Sequence, residues 1–263
     1  MSRLAARFTA LKAAHEKALI AFVTAGDPDL AATEEIILLL EHSGVDVIEL
    51  GVPFSDPMAD GPTIQRSSER ALLSGTTLSG IMELVNKVRS RTQIPILLMG
   101  YLNPVYAYGY DNFCRDASEA GVDGLLLVDM PPEESRELLV SARFYGLDVI
   151  FLLTPTSDAE RIAAVEKLGS GFVYYVTVTG VTGARATVSH SLAQELSRVR
   201  QSISLPVMAG FGISTPEQAA EVGKLADGIV VGSAIVKLFE QYSGKELKQR
   251  LGSYVRGLKQ ALA

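Results

Sequence analysis

The chain has 263 residues, 48% of them hydrophobic, and a formal net charge of −6. That length is ample for one large core and typical of a single α/β barrel, and an acidic balance without a long basic run argues against nucleic acid or an anionic membrane as partner. A single cysteine, Cys114, admits no internal disulfide, which fits a reducing cytosol, and His15, His42 and His190 are scattered without metal-ligand spacing.

Residues 1–14 carry an amphipathic helical pattern without the apolar centre of a signal peptide, and no stretch is long enough to span a bilayer. Eight short apolar runs follow, at 19–24, 47–50, 95–99, 124–128, 149–153, 172–176, 206–209 and 228–231. Several are apolar without alternation, as parallel strands buried on both faces require. The segments between them carry helix signals. Residues 29–43 have acids in their first half and Gly44 after their end. Pro131-Pro132-Glu133-Glu134 opens a helix over 133–145 that Gly146 stops. Ser157-Asp158 precedes a helix ending at Leu168, and Thr215-Pro216-Glu217 supplies a cap, a first-turn proline and an acid for a helix to Leu225. Final helices are expected over 234–239 and 245–263. Strand and helix alternate eight times without a break in composition. This predicts a single domain over 1–263, a (β/α)₈ TIM barrel with an extra N-terminal helix and a short helix after the eighth strand. An open doubly wound sheet is the alternative. It normally has fewer strands and often a glycine-rich first turn, which is missing here.

In a barrel, catalytic groups stand at the C-terminal ends of strands, and the unusual residues of this chain fall there. Glu49 interrupts the second run, and the loop after it carries Asp56 and Asp60 among prolines before Gly61-Pro62. A carboxylate in a buried strand is costly unless it is paired or used, and two acids in different surroundings are a means of separating acid and base roles. A structural salt bridge for Glu49 and helix capping by the loop acids are the competing account. At the other end, Thr179-Gly180-Val181-Thr182-Gly183-Ala184, Gly210-Phe211-Gly212-Ile213 and Val231-Gly232-Ser233 follow the sixth, seventh and eighth runs. Glycines let backbone N–H groups close on an anion, and a helix starting at Ser233 would add its dipole. With no arginine or lysine nearby, backbone amides and Ser233 are the expected phosphate ligands. An isomerase or decarboxylase of a sugar phosphate would ordinarily place a lysine, histidine or metal at a strand end, and no lysine occupies one here.

These residues resemble a known family over the whole chain, the α subunit of tryptophan synthase. The resemblance rests on Ala21-Phe22-Val23-Thr24-Ala25-Gly26-Asp27-Pro28, on Glu49-Leu50-Gly51-Val52-Pro53-Phe54-Ser55-Asp56-Pro57 through Ala59-Asp60-Gly61-Pro62, and on the glycine-rich ends above. The second stretch is long enough to be highly specific. Met58 departs from it, standing where leucine is common. The resemblance implies cleavage of indole-3-glycerol phosphate to indole and glyceraldehyde 3-phosphate, a retro-aldol lyase reaction without metal or organic cofactor. It implies Glu49 as general acid–base, its pKa pushed toward neutrality by burial, and Asp60 as the anion that receives the indole N–H. It implies Phe22, Leu50, Tyr101, Leu126 and Tyr174 around the indole, Thr182 on a lid over 177–191, and Gly183, Phe211, Gly212, Gly232 and Ser233 toward the phosphate. It also implies a cytoplasmic α₂β₂ heterotetramer in which the β subunit carries pyridoxal phosphate. The docking face would be the catalytic mouth, with Phe54 and Met130 on exposed proline-rich loops.

Overall fold

The computed structural model describes residues 2–177, 185–210 and 212–263, with the backbone alone for 185–191. In chain order the elements are α1 (Arg3–Ala14), β1 (Ala18–Thr24), α2 (Leu30–His42), β2 (Val47–Gly51), α3 (Pro62–Leu73), α4 (Leu78–Val88), β3 (Ile96–Gly100), α5 (Leu102–Tyr108), α6 (Tyr110–Ala120), β4 (Gly124–Leu127), a 3₁₀ turn (Pro132–Glu134) and α7 (Arg136–Phe144). The second half holds β5 (Asp148–Val149), β6 (Phe151–Leu153), α8 (Ala159–Leu168), β7 (Val173–Val176), α9 (Arg185–Arg200), β8 (Val207–Gly210), α10 (Pro216–Gly223), β9 (Gly228–Val231), α11 (Ser233–Gln241) and α12 (Gly244–Ala261).

All strand pairs are parallel, in the order β5-β4-β3-β2-β1-β9-β8-β7-β6. The two edge segments, β5 and β6, are consecutive in sequence. The fifth predicted run is therefore one strand that changes partner. Its first half and Ile150, whose N–H donates to Leu125 O at 2.9 Å, bond to β4, and its second half pairs with β7. The sheet thus closes on itself through Ile150, and the barrel of eight predicted runs is described by nine strand segments.

Period-two alternation divides the core in two. Ala18, Ile20, Val47, Leu97, Leu126, Ile150, Phe172, Met208 and Val230 fill the barrel interior. Leu19, Ala21, Val23, Ile48, Leu50, Leu98, Leu125 and their counterparts face the helices. Helix α1 closes one end of the interior with Leu4, Phe8 and Leu11, Phe8 standing edge-to-face on Phe172 at 5.8 Å.

The helix caps follow local chemistry. Asp29 accepts from the Ala32 amide at 2.7 Å, Asp158 from Arg161 at 2.8 Å, and Thr215 with Gln218 forms a reciprocal capping box ahead of α10. The helix expected to open at Glu133 starts instead at Arg136. Pro131 and Pro132 lead into a tight 3₁₀ turn first.

At the N-terminal ends of the strands, an acid just before a strand, buried at Asp46 and Asp123 and part-exposed at Asp227, accepts an amide from the neighbouring strand. Asp46 accepts from Leu19 N at 2.7 Å, Asp123 from Ile96 N at 2.8 Å, and Asp227 from Val207 N at 2.9 Å. Asp46 also pairs with Arg7 of α1 and, at 2.9 Å, with Lys259 of α12, while Asp123 pairs with Arg3 and Arg89 at 3.0 and 2.7 Å. This face holds the scaffold together. Asp46→Ala strands a buried amide and two cations, and should lower stability by about 3–5 kcal/mol in urea denaturation, with little effect on ligand binding at the opposite mouth.

Candidate active site

The alternation that makes Val47 interior also turns Glu49 and Gly51 inward, because each lies two residues beyond the last on β2. Glu49 is 1% exposed, and its Oε1 has no hydrogen-bond partner among the described residues. Burial disfavours the carboxylate and pushes its pKa up to about 8. The structural salt bridge that would explain a strand acid is thus not what holds this group. Tyr174, in the barrel interior on β7, has its phenol pushed up by burial and by the Glu49 charge nearby. Room for the Tyr174 hydroxyl depends on Gly210, since a Cβ there would lie 2.5 Å from that oxygen.

Above Glu49, a pocket opens between the ends of β1 to β4 and helix α3, lined by Phe22, Gly51, Asp60, Ile64, Met99, Tyr101 and Val128 among others. Gly51 keeps it open, because a Cβ at this position would stand 2.5 Å from the Phe22 ring. Asp60 hangs over the pocket at the end of the β2–α3 loop, and its carboxylate accepts the Tyr101 hydroxyl at 3.0 Å. That hydroxyl accepts the Ala59 amide, also at 3.0 Å, and the Tyr101 ring packs on Phe54 at 5.3 Å. Burial raises the Asp60 pKa, and the Tyr101 hydrogen bond opposes the rise. The two acids therefore occupy different environments: Glu49 buried with its Oε1 unpaired among the described residues, Asp60 half-buried and hydrogen-bonded.

On the far side of Phe22 lies the expected phosphate seat. Gly232 precedes Ser233, the first residue of α11, and its backbone lies against Phe22, so that a Cβ at this position would stand 3.4 Å from the Phe22 Cβ. Gly212 has φ +75°, a left-handed conformation that glycine adopts freely. Thr182, Gly183 and Phe211 lie outside the described residues.

Several expectations are corrected. Leu50 does not face the pocket. Its neighbours Glu49 and Gly51 point inward, so Leu50 points outward and is fully buried under the helices. Leu126 is interior and fully buried, level with Met99 of the pocket wall, and Val128, two residues on, also lines the pocket. The loop expected over 177–191 is shorter, because helix α9 already begins at Arg185. Met130, expected on an exposed docking loop, is 5% exposed and belongs to the outer core, whereas Met58 is 92% exposed. Met99, Val128, Val52 and Ile64 line the pocket without having been anticipated. Counting by two from Leu97 and Leu126 would have reached Met99 and Val128.

A closed parallel barrel with two unlike carboxylates at one mouth and a glycine-led helix beside them defines a barrel enzyme of acid–base type acting on a phosphorylated ligand. Comparison with known proteins makes this specific. Residues 8–263 match the family model described as tryptophan synthase alpha chain. The chain is 62% identical over 262 residues to the tryptophan synthase alpha chain of Citrifermentans bemidjiense, covering 100% of this chain and 98% of the relative. It superimposes on the α subunit of Legionella pneumophila tryptophan synthase with a TM-score of 0.92 at 39% identity, covering 100% and 98% of the two chains. A tryptophan synthase structure from M. tuberculosis matches at a TM-score of 0.89 and 35% identity, covering 100% and 99%. The chain belongs to the tryptophan synthase alpha chain family. It is accordingly a lyase of tryptophan biosynthesis acting on indole-3-glycerol phosphate, with a β subunit as its partner.

The unpaired state of Glu49 has a consequence for stability. Its folded pKa lies above its unfolded value, so the native state holds the proton more tightly. The associated stability is complete below the unfolded pKa, near 4.5, and is lost as pH rises toward about 8. Glu49→Gln should remove this decline, leaving the variant as stable as the parent at pH 4 and more stable at pH 9, by at most about 5 kcal/mol, in denaturation curves taken at both pH values.

Proposed function

We propose that Glu49 and Asp60 carry the lyase reaction, with Glu49 moving the protons and Asp60 stabilising the charge that develops on the indole. The observation that carries this reading is the dry, unpaired Glu49 two residues below Gly51 of the pocket whose rim bears Asp60. With a pKa of about 8, Glu49 holds its proton at neutral pH and can deliver it to indole C3. Protonation leaves the ring cationic, with much of the charge at the indole nitrogen. Asp60, whose Tyr101 hydrogen bond favours the ionised form, accepts the N–H and offsets that charge. The Glu49 carboxylate then takes the proton of the hydroxyl on the carbon attached to C3. The C3–carbon bond breaks, its electron pair restores the aromatic ring, and the released fragment is the aldehyde glyceraldehyde 3-phosphate. Glu49 ends protonated, ready for the next turn.

Phe22, Tyr101, Leu126 and Tyr174 hold the indole end in this reading, with Met99 and Val128 added and Leu50 removed. Gly212, Gly232 and Ser233 receive the phosphate, together with Gly183 and Phe211 of the undescribed segments, and Thr182 acts from the same undescribed loop. The carboxylates supply the chemistry, so the reaction needs no cofactor in this chain, and pyridoxal phosphate belongs to the β partner. We assign an α₂β₂ assembly in the cytoplasm. Its α face is the catalytic mouth, where exposed Met58 and Tyr106 flank the site and the Asp129 carboxylate ties the β4 loop to the Leu102 amide at 2.8 Å.

Indole release from indole-3-glycerol phosphate, with and without a β subunit, tests the reading. Slow release that β accelerates strongly is expected. Glu49→Gln should abolish release with the fold intact, and Asp60→Asn should lower it by about 10³-fold or more. Full activity in Glu49→Gln would overturn the mechanism, and no release by the folded parent chain would overturn the substrate.

A further inference from the structure

The Ala25-Gly26-Asp27-Pro28 segment takes no part in the chemistry above, yet Asp27 is buried and gripped. Arg70 of α3 donates to both its carboxylate oxygens, from Nε at 2.8 Å and Nη2 at 2.6 Å. One turn earlier on α3, Arg66 holds Glu240 of α11 in the same forked manner, at 2.7 and 3.1 Å, and Glu240 stands 3.7 Å from Arg70. Two further bonds seat α3 on the β1–α2 segment: Thr24 Oγ1 with Ser67 Oγ at 2.6 Å, and Ser74 Oγ donating to Gly26 O at 3.0 Å.

Helix α3 begins two residues after Asp60 and contributes Ile64 and Ser68 to the pocket wall. Helix α11 begins at Ser233, the proposed phosphate seat. The two ends of the substrate thus rest on two helices that Glu240 straps together. Isolated exposed ion pairs contribute little, but forked arginine–carboxylate geometry within a network anchored on a buried acid is the case in which they count.

We infer that Glu240 is a positioning residue: through Arg66 and Arg70 it couples phosphate bound on α11 to the placement of α3, and so of Asp60 and the pocket wall. This rests on the functional reading above and extends it. Enzymes use binding energy from non-reacting parts of a substrate to orient the reacting part, and the strap supplies a route for that transfer.

The test uses the full chain with indole-3-glycerol, the substrate lacking its phosphate, and inorganic phosphate as a separate piece. In the parent chain, added phosphate should raise the rate of indole release. Glu240→Gln should reduce that activation about fivefold without shifting the half-saturating phosphate concentration, and Arg66→Ala, a change at an exposed position, should do the same. Activation unchanged in both variants overturns the inference. So does a parallel fall of the rates with and without phosphate, the mark of a merely structural role, or a parent chain that phosphate does not activate. Failure of the parent to cleave indole-3-glycerol phosphate itself would instead remove the underlying lyase reading, and the inference with it.

Discussion

Burial of the Glu49 carboxyl group, whose Oε1 has no partner among the described residues, is the constraint around which this barrel is arranged. Ionised, Glu49 would be among the most costly groups in the fold, and burial lifts its pKa to about 8 so that it remains neutral near physiological pH. A neutral carboxylic acid in a dry interior is a proton donor that water cannot discharge. Burial raises the Asp60 pKa too, but Asp60 is only half-buried and a hydrogen bond opposes the rise. The Tyr101 hydroxyl gives it that hydrogen bond, which favours the ionised form. Two acids in unlike surroundings, one dry and one hydrogen-bonded at the rim, suit a reaction in which a carbon is protonated and the resulting cation stabilised.

Such an arrangement demands a rigid frame, and the frame is built at the opposite end. Asp46, Asp123 and Asp227 accept strand amides at the starts of the strands, and α1 plugs the interior with Leu4, Phe8 and Leu11. Buried charges there are fully paired, with Arg3, Arg7, Arg89 and Lys259 as partners. The catalytic mouth has instead a carboxylate oxygen left unpaired, and side-chain room created by glycine. Gly51 clears space for Phe22, and Gly210 for the Tyr174 hydroxyl.

Much of this was legible in the sequence, and the part that was not has definite causes. Glu49 stands out because it interrupts an apolar run, and Asp60 because it precedes Gly-Pro at a helix start. The caps Asp29, Asp158 and Thr215 act over three residues and could be read locally. Leu50 was misplaced because it is adjacent to Glu49 in sequence, whereas a strand sends neighbours to opposite faces. Met99 and Val128 look like any other strand residues, and only the inward phase of Leu97 and Leu126 distinguishes them. Met130 looked exposed among prolines, but it joins the outer core. The change of partner at Ile150 is likewise a property of closure, which no single run encodes.

Helix α3 is the element in which these threads meet, and its sequence carries three kinds of information on three faces. Ile64 and Ser68 face the pocket, Ser67 and Arg70 face the β1–α2 segment, and Arg66 faces α11. The pocket face is weakly apolar and offers little grip. Its position must therefore be set from behind, by the polar bonds to Thr24, Asp27 and Glu240 rather than by core packing. Directional bonds suit this task better than apolar contact, because forked arginine pairs fix both distance and orientation where aliphatic packing tolerates sliding. Since Asp60 leads directly into this helix, the placement of its carboxylate at the pocket rim is tied to ion pairs on the far side of the helix.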